Sequence, residues 1–467
     1  MSSPQVNCGT NILRRHRPLP ACVATAEAFK GSRSRWIARV KRKNERSSGY
    51  PTSTGTWRCK ELEKITRKRK LRSNRPLWSN TRHIKVVAQS RISVDKVDVL
   101  IVGAGIGGAL MALSLAKRDM KILVVDRRWP VQGSTLASTA MIQHEIDVPL
   151  HRLTTMIGQD KARRAWQRSA RAVETLITLI DSLGIDCGFE QKKSLYLSGN
   201  AYGARALRLE IDARQAAGIS ARFLKSACLR EEFGLNRTAA IESDISAAAN
   251  PAQLTAGLWR KAQRDGVSLI GDTEITDVRS VEGWNAAATS TGEIILAKHV
   301  VFCTGYEFLD VVAHQGHRMV STWALATKPH HPRPDWLKNY VVWEASDPYL
   351  YFRSTKDGRL IVGGEDEESA TAFADPIKLR AKSKILRAKL SALLEIPIGE
   401  PDYLWAAPFG ITSDGLPLIG NVPGLENVYA VMGYGGNGIT YSQIAAEIVS
   451  SEILGYRDPD SELFAFR

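Results

Sequence analysis

The 467-residue sequence predicts an α/β fold built on a buried parallel sheet, on three observations. The apolar run Val99-Leu100-Ile101-Val102 has the composition of a strand buried on both faces. Four glycines follow within six residues, with Gly103, Gly105 and Gly108 spaced G-x-G-x-x-G and Gly107 among them. A helical pattern with Ile106, Leu110 and Leu113 on one face then leads to a second apolar strand over residues 122–125, which ends in Asp126.

The spacing has a mechanical reason. The first glycine permits the tight turn, the second lets backbone approach a pyrophosphate, and the third lets helix pack closely on strand. The helix N-terminus adds N–H donors and positive potential. Asp126 stands 18 residues past Gly108, about where an acid meets ribose hydroxyls. Residues 97–126 therefore read as a Rossmann-like βαβ unit for a dinucleotide. Residues 99–116 carry no charge, and Gly103-x-x-x-Gly107 imitates a helix-dimer face. Four glycines are a poor start for a membrane helix, and the immediate return to a strand fits βαβ better. No integral membrane span is expected.

With 44% apolar residues the chain has enough material for a sizeable core and two or three domains. Its net charge of +16 is unevenly placed. Residues 1–95 hold 23 of the 64 Lys and Arg but 5 of the 48 Asp and Glu, a net of +18, while the remainder carries −2. Six cysteines (Cys8, Cys22, Cys59, Cys187, Cys228 and Cys303) show neither C-x-x-C nor a metal-ligand spacing. So few in so long a chain predict a reducing, cytoplasmic setting, no disulfide framework and no metal.

Residues 1–95 lack sustained periodicity, are rich in Ser, Arg and Lys, and contain Arg67-Lys68-Arg69-Lys70. A disordered basic arm is expected; only residues 61–72 look helical. Three other readings stay open. One is an organelle transit segment, Arg- and Ser-rich and poor in acids. Another is an arm for nucleic acid or an anionic surface, displacing phosphate counterions; Trp36, Trp57 and Trp78 are too scattered to make a stacking platform. The third is a start further in, which would need a non-Met codon near residues 86–94, since the next methionine is Met111.

Past Asp126-Arg127 the small residues 133–140, including Ser134, Thr135, Ala137 and Ser138, suggest a loop pressed against phosphates or a flat ring. The pattern Trp166, Ala170, Val173, Ile177, Ile180 predicts a long helix that ends at Gly184. Short strands near residues 188–190 and 194–198 and a helix over 201–217 suggest a smaller layer. Asn250-Pro251 starts a helix by cap and N1 proline, ended by Gly266. Strands are expected at 267–270, 273–278, 284–290, 293–296 and 299–302, the last running into Cys303-Thr304-Gly305. In the strand-rich stretch 340–366, Tyr349, Tyr351 and Arg353 alternate onto one face, either a substrate wall or the polar side of a sheet. Asp375-Pro376 opens another helix.

Strand 428–432 then runs into Gly433-Tyr434-Gly435-Gly436-Asn437-Gly438 at the start of a final helix. One nicotinamide needs one such loop. A longer ligand, with its adenine end at the first loop and a redox ring at the second, explains both.

At this point residues 97–454, some three quarters of the chain, resemble the D-amino-acid-oxidase-type FAD-dependent oxidoreductases. That superfamily includes glycine oxidase, sarcosine oxidase, D-amino-acid dehydrogenase and the γ-glutamylputrescine oxidases. The matching order is Gly103-x-Gly105-x-x-Gly108, Asp126-Arg127, the loop 133–140, Thr304-Gly305, Thr412-x-Asp414-Gly415-x-Pro417-x-Ile419-Gly420 and the last glycine loop. The resemblance implies a discontinuous FAD domain (96–180, 245–315 and 401–467) and an α+β substrate domain (181–244 and 316–400) behind the 1–95 arm. It implies FAD contacts from the motif residues already named, from Ile106 and Ile275, and from Gly436, Asn437, Gly438, Ile439 and Thr440. There the helix dipole would stabilise negative charge on the reduced flavin's N1/O2 edge.

Two departures matter. Amino-acid-oxidising members often carry G-x-R-P before T-x-D-G, with the Arg clamping the substrate carboxylate. Here the stretch is Ala407-Pro408-Phe409-Gly410, so a charge-assisted contact worth about 1.5–3 kcal/mol is missing. Either Arg353 takes over or the substrate lacks an α-carboxylate. No Cys lies in 405–411 to anchor flavin, so FAD is expected to be non-covalent. The implied reaction is oxidation of the C–N bond of a small amine or amino acid to an imine by hydride transfer to flavin. Oxygen or a quinone would reoxidise the flavin, and His144, Tyr351, Arg353 and Phe409 would shape the pocket. The alternatives are an NAD-dependent dehydrogenase and an RNA-directed, tRNA-modifying flavoprotein, nucleic acid entering only through the 1–95 arm.

Overall fold

The computed structural model describes residues 65–467 apart from 117 and 313–315, and all of these lie in one compact unit. Two sheets organise it. In the first, Val428–Met432, Ile294–Phe302, Lys96–Val102, Ile122–Val125 and Ser268–Ile270 run parallel in that spatial order. Leu418–Asn421 pairs antiparallel at one edge, and Ile275–Val281 and Trp284–Thr289 branch from Ile294–Phe302. Val99, Leu100, Ile101, Val124, Val125, Val300 and Val301 are fully buried, as a sheet covered on both faces requires. The helix Ile106–Ala116 covers one face and packs between Pro251–Arg264 and Gly438–Ile453. Because the central strands share direction, Gly103, Asp126 and Cys303 emerge at one edge, where open α/β sheets bind ligands.

The second sheet has nine strands, mostly antiparallel: Tyr403–Thr412, His317–Ala326, Leu360–Glu367, Leu350–Ser354, Tyr340–Ala345, Glu190–Ser198, Ala239–Ala248 and Met141–Gln143 in order, with Ala221–Lys225 added to Ala239–Ala248. The helix Pro376–Leu394 covers it, capped by Asp375 Oδ1, which accepts from the Ile377 and Lys378 N–H groups. The long helix Gln159–Leu183 ends at Gly184 in the left-handed region (φ 58°), and Asn250 Oδ1 caps Pro251–Arg264 through the Ala252 and Gln253 N–H groups. Both termini follow the signals read from sequence.

Other expectations are corrected. The basic arm does not extend to residue 95: from residue 65 the chain is a strap laid over the body. The Ser73 N–H donates to Ala406 O at 2.8 Å, Gln89 and Gly271 bond to extend the edge strand Ser268–Ile270, and Trp78 is buried. The strap borrows bonds from sheet edges a residue at a time, so it shows no period. Residues 65–72 are not helical; the rest of the arm and the start of that expected helix lie outside the described residues. The paired strands expected at 188–198 and at 293–302 are each one strand, Glu190–Ser198 and Ile294–Phe302. Met141–Gln143 and Tyr403–Thr412, expected with the nucleotide half, pair in the second sheet. No helix among the described residues is long and apolar enough to cross a membrane.

Candidate active site

One cavity of about 510 Å³ runs from the first glycine turn to the last glycine loop and on to the second sheet. Every cofactor-binding residue expected from sequence lines it except Gly108 and Thr440; of the catalytic candidates, Tyr351 and Phe409 line it while His144 and Arg353 do not.

The turn is built by close approach. Gly103 has φ +117°, and a Cβ there would lie 2.4 Å from Cys303 O; a Cβ at Gly108 would lie 1.9 Å from Gly103 O. Gly108 therefore packs helix on strand instead of touching ligand. Asp126 Oδ2 accepts from the Ala104 N–H at 2.6 Å and Oδ1 from the Arg128 N–H at 2.8 Å, so the acid pins the turn as well as facing the cavity. Burial pushes its carboxyl up, against the pull of those N–H groups. Beside it, Arg128 makes a two-pronged bond to Glu307 (2.7 and 2.8 Å), Arg127 reaches Glu307 and Glu274, and the Arg69 N–H of the strap donates to Glu307 at 2.9 Å. Burial alone would raise the Glu307 carboxyl, but Arg128 and the Arg69 N–H hold it below the usual range.

The small-residue loop is oriented from behind by its carbonyls. Arg72 donates to Gln132 O and Gly133 O, Trp405 Nε1 to Ala137 O, Trp78 Nε1 to Ser138 O, and Arg353 Nε to Thr139 O, all at 2.7–2.9 Å. Its short side chains are left for the cavity side. Thr135 Oγ1 meets the Ile106 N–H at the helix start.

Arg353 is thus a correction. Its alternation with Tyr351 gave the face but not the depth, and one step further along the strand the guanidinium is inside the protein. It donates to Thr139 O, Ala249 O and Ser354 O and lies 5.6 Å from the Trp78 ring centre. Burial lowers its pKa to about 10. Arg353→Met should cost about 2–4 kcal/mol of stability by orphaning buried carbonyls, with the substrate KM changed less than twofold. A tenfold rise in KM in steady-state assays would return Arg353 to the substrate site. His144 is also structural: fully buried, it holds Ile245 O through Nδ1 (2.9 Å) and packs edge-on to Trp166. Thr440 latches Gln143 O at 2.9 Å and stays out of the cavity.

The far end of the cavity joins the Tyr349–Tyr351 face read from sequence to two groups that the sequence did not single out, Asp366 and Asp147. Tyr349 and Tyr351 lie with ring centres 5.7 Å apart. Tyr351 pairs across the sheet with Gly363, and a Cβ on Gly363 would strike the Tyr351 ring; Gly364 (φ +128°) similarly admits Tyr349 O. Asp366 follows on the same strand beside Tyr349 and Thr322, and its Oδ1 has no hydrogen-bond partner. Burial raises its pKa to about 6. Asp147 accepts from the Gly436 N–H at 2.9 Å at the other loop. The readable signal was Tyr-x-Tyr on one strand followed by Gly-Gly-x-Asp on the next, an aromatic pair laid over bare backbone. Arg318 sits at the rim, paired with Glu368.

The pieces fit FAD. Bare backbone and a helix N-terminus stand at each end of one cavity, and Gly105 and Gly107 leave Cβ-sized space beside Thr135, Tyr434 and Ser442. The lining thiol, Cys303, is pushed up to about 12 by burial and is no nucleophile.

Comparison with known proteins agrees. The chain is 22% identical over 386 residues to gamma-glutamylputrescine oxidoreductase of Escherichia coli (strain K12), covering 79% of this chain and 85% of that one. Its fold is shared with glycine oxidase from Geobacillus kaustophilus (TM-score 0.65, 20% identity, 80% of this chain and 99% of that one). L-proline dehydrogenase from P. horikoshii shares it too (TM-score 0.67, 19% identity, 81% and 97%). The family model described as FAD dependent oxidoreductase (DAO) matches residues 98–452. With three quarters of its length so matched, and the glycine turns and acid of that family in place, the chain belongs to the DAO family of FAD-dependent oxidoreductases.

Proposed function

We propose that the chain oxidises a C–N bond of a small amine or amino acid to an imine, with oxygen or a quinone as electron acceptor and FAD held without a covalent bond. Family membership leaves the NAD-dependent reading without support. The RNA-directed reading falls mainly on residues outside the described ones.

What carries the reading is the far wall of the cavity: Tyr349, Tyr351 and Phe409 present flat apolar surface, with the buried Asp366 carboxyl beside Tyr349. FAD, when bound, supplies the acceptor for a hydride. The chain's residues must then hold the donor carbon in place and manage the amine proton. The Tyr349 hydroxyl stays protonated because burial raises it well above 10, and its proton is directed at the Asp366 carboxylate. Asp366 is ionised above about pH 6 and can attract an ammonium group or take its proton. Phe409 cannot pair with a carboxylate, and Arg353 is occupied elsewhere.

The test is anaerobic bleaching of the flavin against a panel of amines and amino acids, then admission of air with a peroxide assay. A flavin that no amine bleaches counts against the reading. For a substrate that does bleach it, kcat/KM should rise with pH through about 6 as Asp366 loses its proton. Asp366→Asn should lower kcat/KM roughly 10- to 100-fold and remove that limb. A pH profile identical to wild type would take Asp366 out of the reaction.

A further inference from the structure

We propose that Asp147 is a charge-setting residue for the cofactor: its carboxylate sits on the positive end of the final helix and disfavours an anionic reduced flavin. The proposal rests on FAD and not on the substrate, so a protein inert to every amine still tests it.

The argument begins with the N–H groups of the last glycine loop. The Gly435 N–H is taken by Gly410 O and the Asn437 N–H by Tyr434 O. The helix Gly438–Ile453 has no side-chain cap at Asn437, because that amide turns away to Glu145 O (2.8 Å) and to Asp147 Oδ1 (3.4 Å). The Gly436 N–H goes to Asp147 Oδ2 at 2.9 Å. A Cβ at Gly435 would lie 2.3 Å from that oxygen, and one at Gly436 3.1 Å from Oδ1. The glycine pair is thus what lets a carboxylate come so near the helix start.

A helix N-terminus carries roughly half a positive charge. In this cavity it is the feature suited to negative charge on a bound ring. Burial pushes the Asp147 carboxyl up, against the pull of the Gly436 N–H. Once ionised, its full negative charge cancels that field over the few ångströms that matter, and the low-dielectric surroundings magnify the effect. The other titratable groups facing Asp147 do not restore it. Tyr306 comes from the turn after Ile294–Phe302, Tyr349 and Asp366 from the second sheet, and Tyr441 from the helix itself. Each is neutral or acidic. Among the described residues its hydrogen-bond donors are Gly436 N and Asn437 Nδ2.

Sulfite is the probe. Its sulfur lone pair forms a bond to N5 of oxidised flavin and leaves negative charge on the ring's N1/O2 edge, so its Kd reads the potential there. Wild-type protein should bind sulfite weakly. Asp147→Asn should bind it at least tenfold more tightly, and the midpoint potential should rise; a tenfold change in a two-electron equilibrium is about 30 mV. Asp147→Glu, which keeps the charge, should stay within threefold of wild type. If Asp147→Asn will not hold FAD, Asp147→Ser keeps an acceptor for the Gly436 N–H without charge and is read the same way. Unchanged sulfite affinity and potential in the uncharged variants, or tight sulfite binding by wild type, overturns the proposal.

Discussion

Gly108→Ala should yield a destabilised protein without FAD, whereas Gly105→Ala should yield a stable protein without FAD. A Cβ at Gly108 would lie 1.9 Å from Gly103 O, and backbone cannot rotate aside as a side chain can. The helix Ile106–Ala116 must then lift from the strand Lys96–Val102, and it is clamped by Pro251–Arg264 and Gly438–Ile453. Overpacking of this kind costs about 1–3 kcal/mol or more, and the turn that meets the cofactor moves with the helix. At Gly105 the nearest atom to a new Cβ is Thr135 Oγ1, a rotatable side chain at 3.1 Å. The fold should hold within about 0.5 kcal/mol, while the methyl occupies space in the cavity meant for ligand. Thermal melts of the apoproteins and the flavin-to-protein absorbance ratio separate the two variants. Full flavin content in Gly105→Ala would mean that the second glycine does not face the cofactor.

That contrast also shows what could be read from the sequence. The nucleotide half was legible because its whole logic fits within residues 97–126: strand, turn, helix, strand and acid, each fixed by its neighbours. The last glycine loop was legible for the same reason. Asp366 was not, because it matters only through a strand pairing that lays Tyr351 over Gly363. Asp147 was not, because it meets Gly436 across 289 positions. Arg353 was misplaced because a period of two gives the face of a strand and says nothing of depth. Trp78 looked like part of a loose arm because the strap takes its bonds from distant carbonyls, Ser138 O among them.

Glu307→Ala should detach the strap and release the cofactor. The Glu307 side chain is 4% exposed and sits under Arg128 and Arg127. Its Oε1 also accepts the Arg69 N–H, while Arg128 Nη2 donates to Arg69 O. One carboxylate therefore bridges two guanidinium groups beside Asp126, with Glu274 sharing Arg127, and fastens residues 65–72 across that end of the cavity. Removing a partner from a buried pair costs about 3–5 kcal/mol, since the remaining charge is left uncompensated. The sign with pH follows from the depressed carboxyl of Glu307. Its contribution is complete above the unfolded-state value of about 4.3 and is lost as pH falls through the lower folded value. The stability gap between wild type and Glu307→Gln, measured by urea unfolding, should be widest at pH 6–7 and close as pH drops below about 4. Trypsin reads the strap directly, because Arg67-Lys68-Arg69-Lys70 lies within it. In wild-type holoprotein these sites should be protected, and in Glu307→Ala they should be cut before the body is. Equal protection in both would show that the strap's other bonds, among them Arg67 N–H to Phe308 O, Arg72 to Gly133 O and Ser73 N–H to Ala406 O, hold it without Glu307, which would then serve only the arginines.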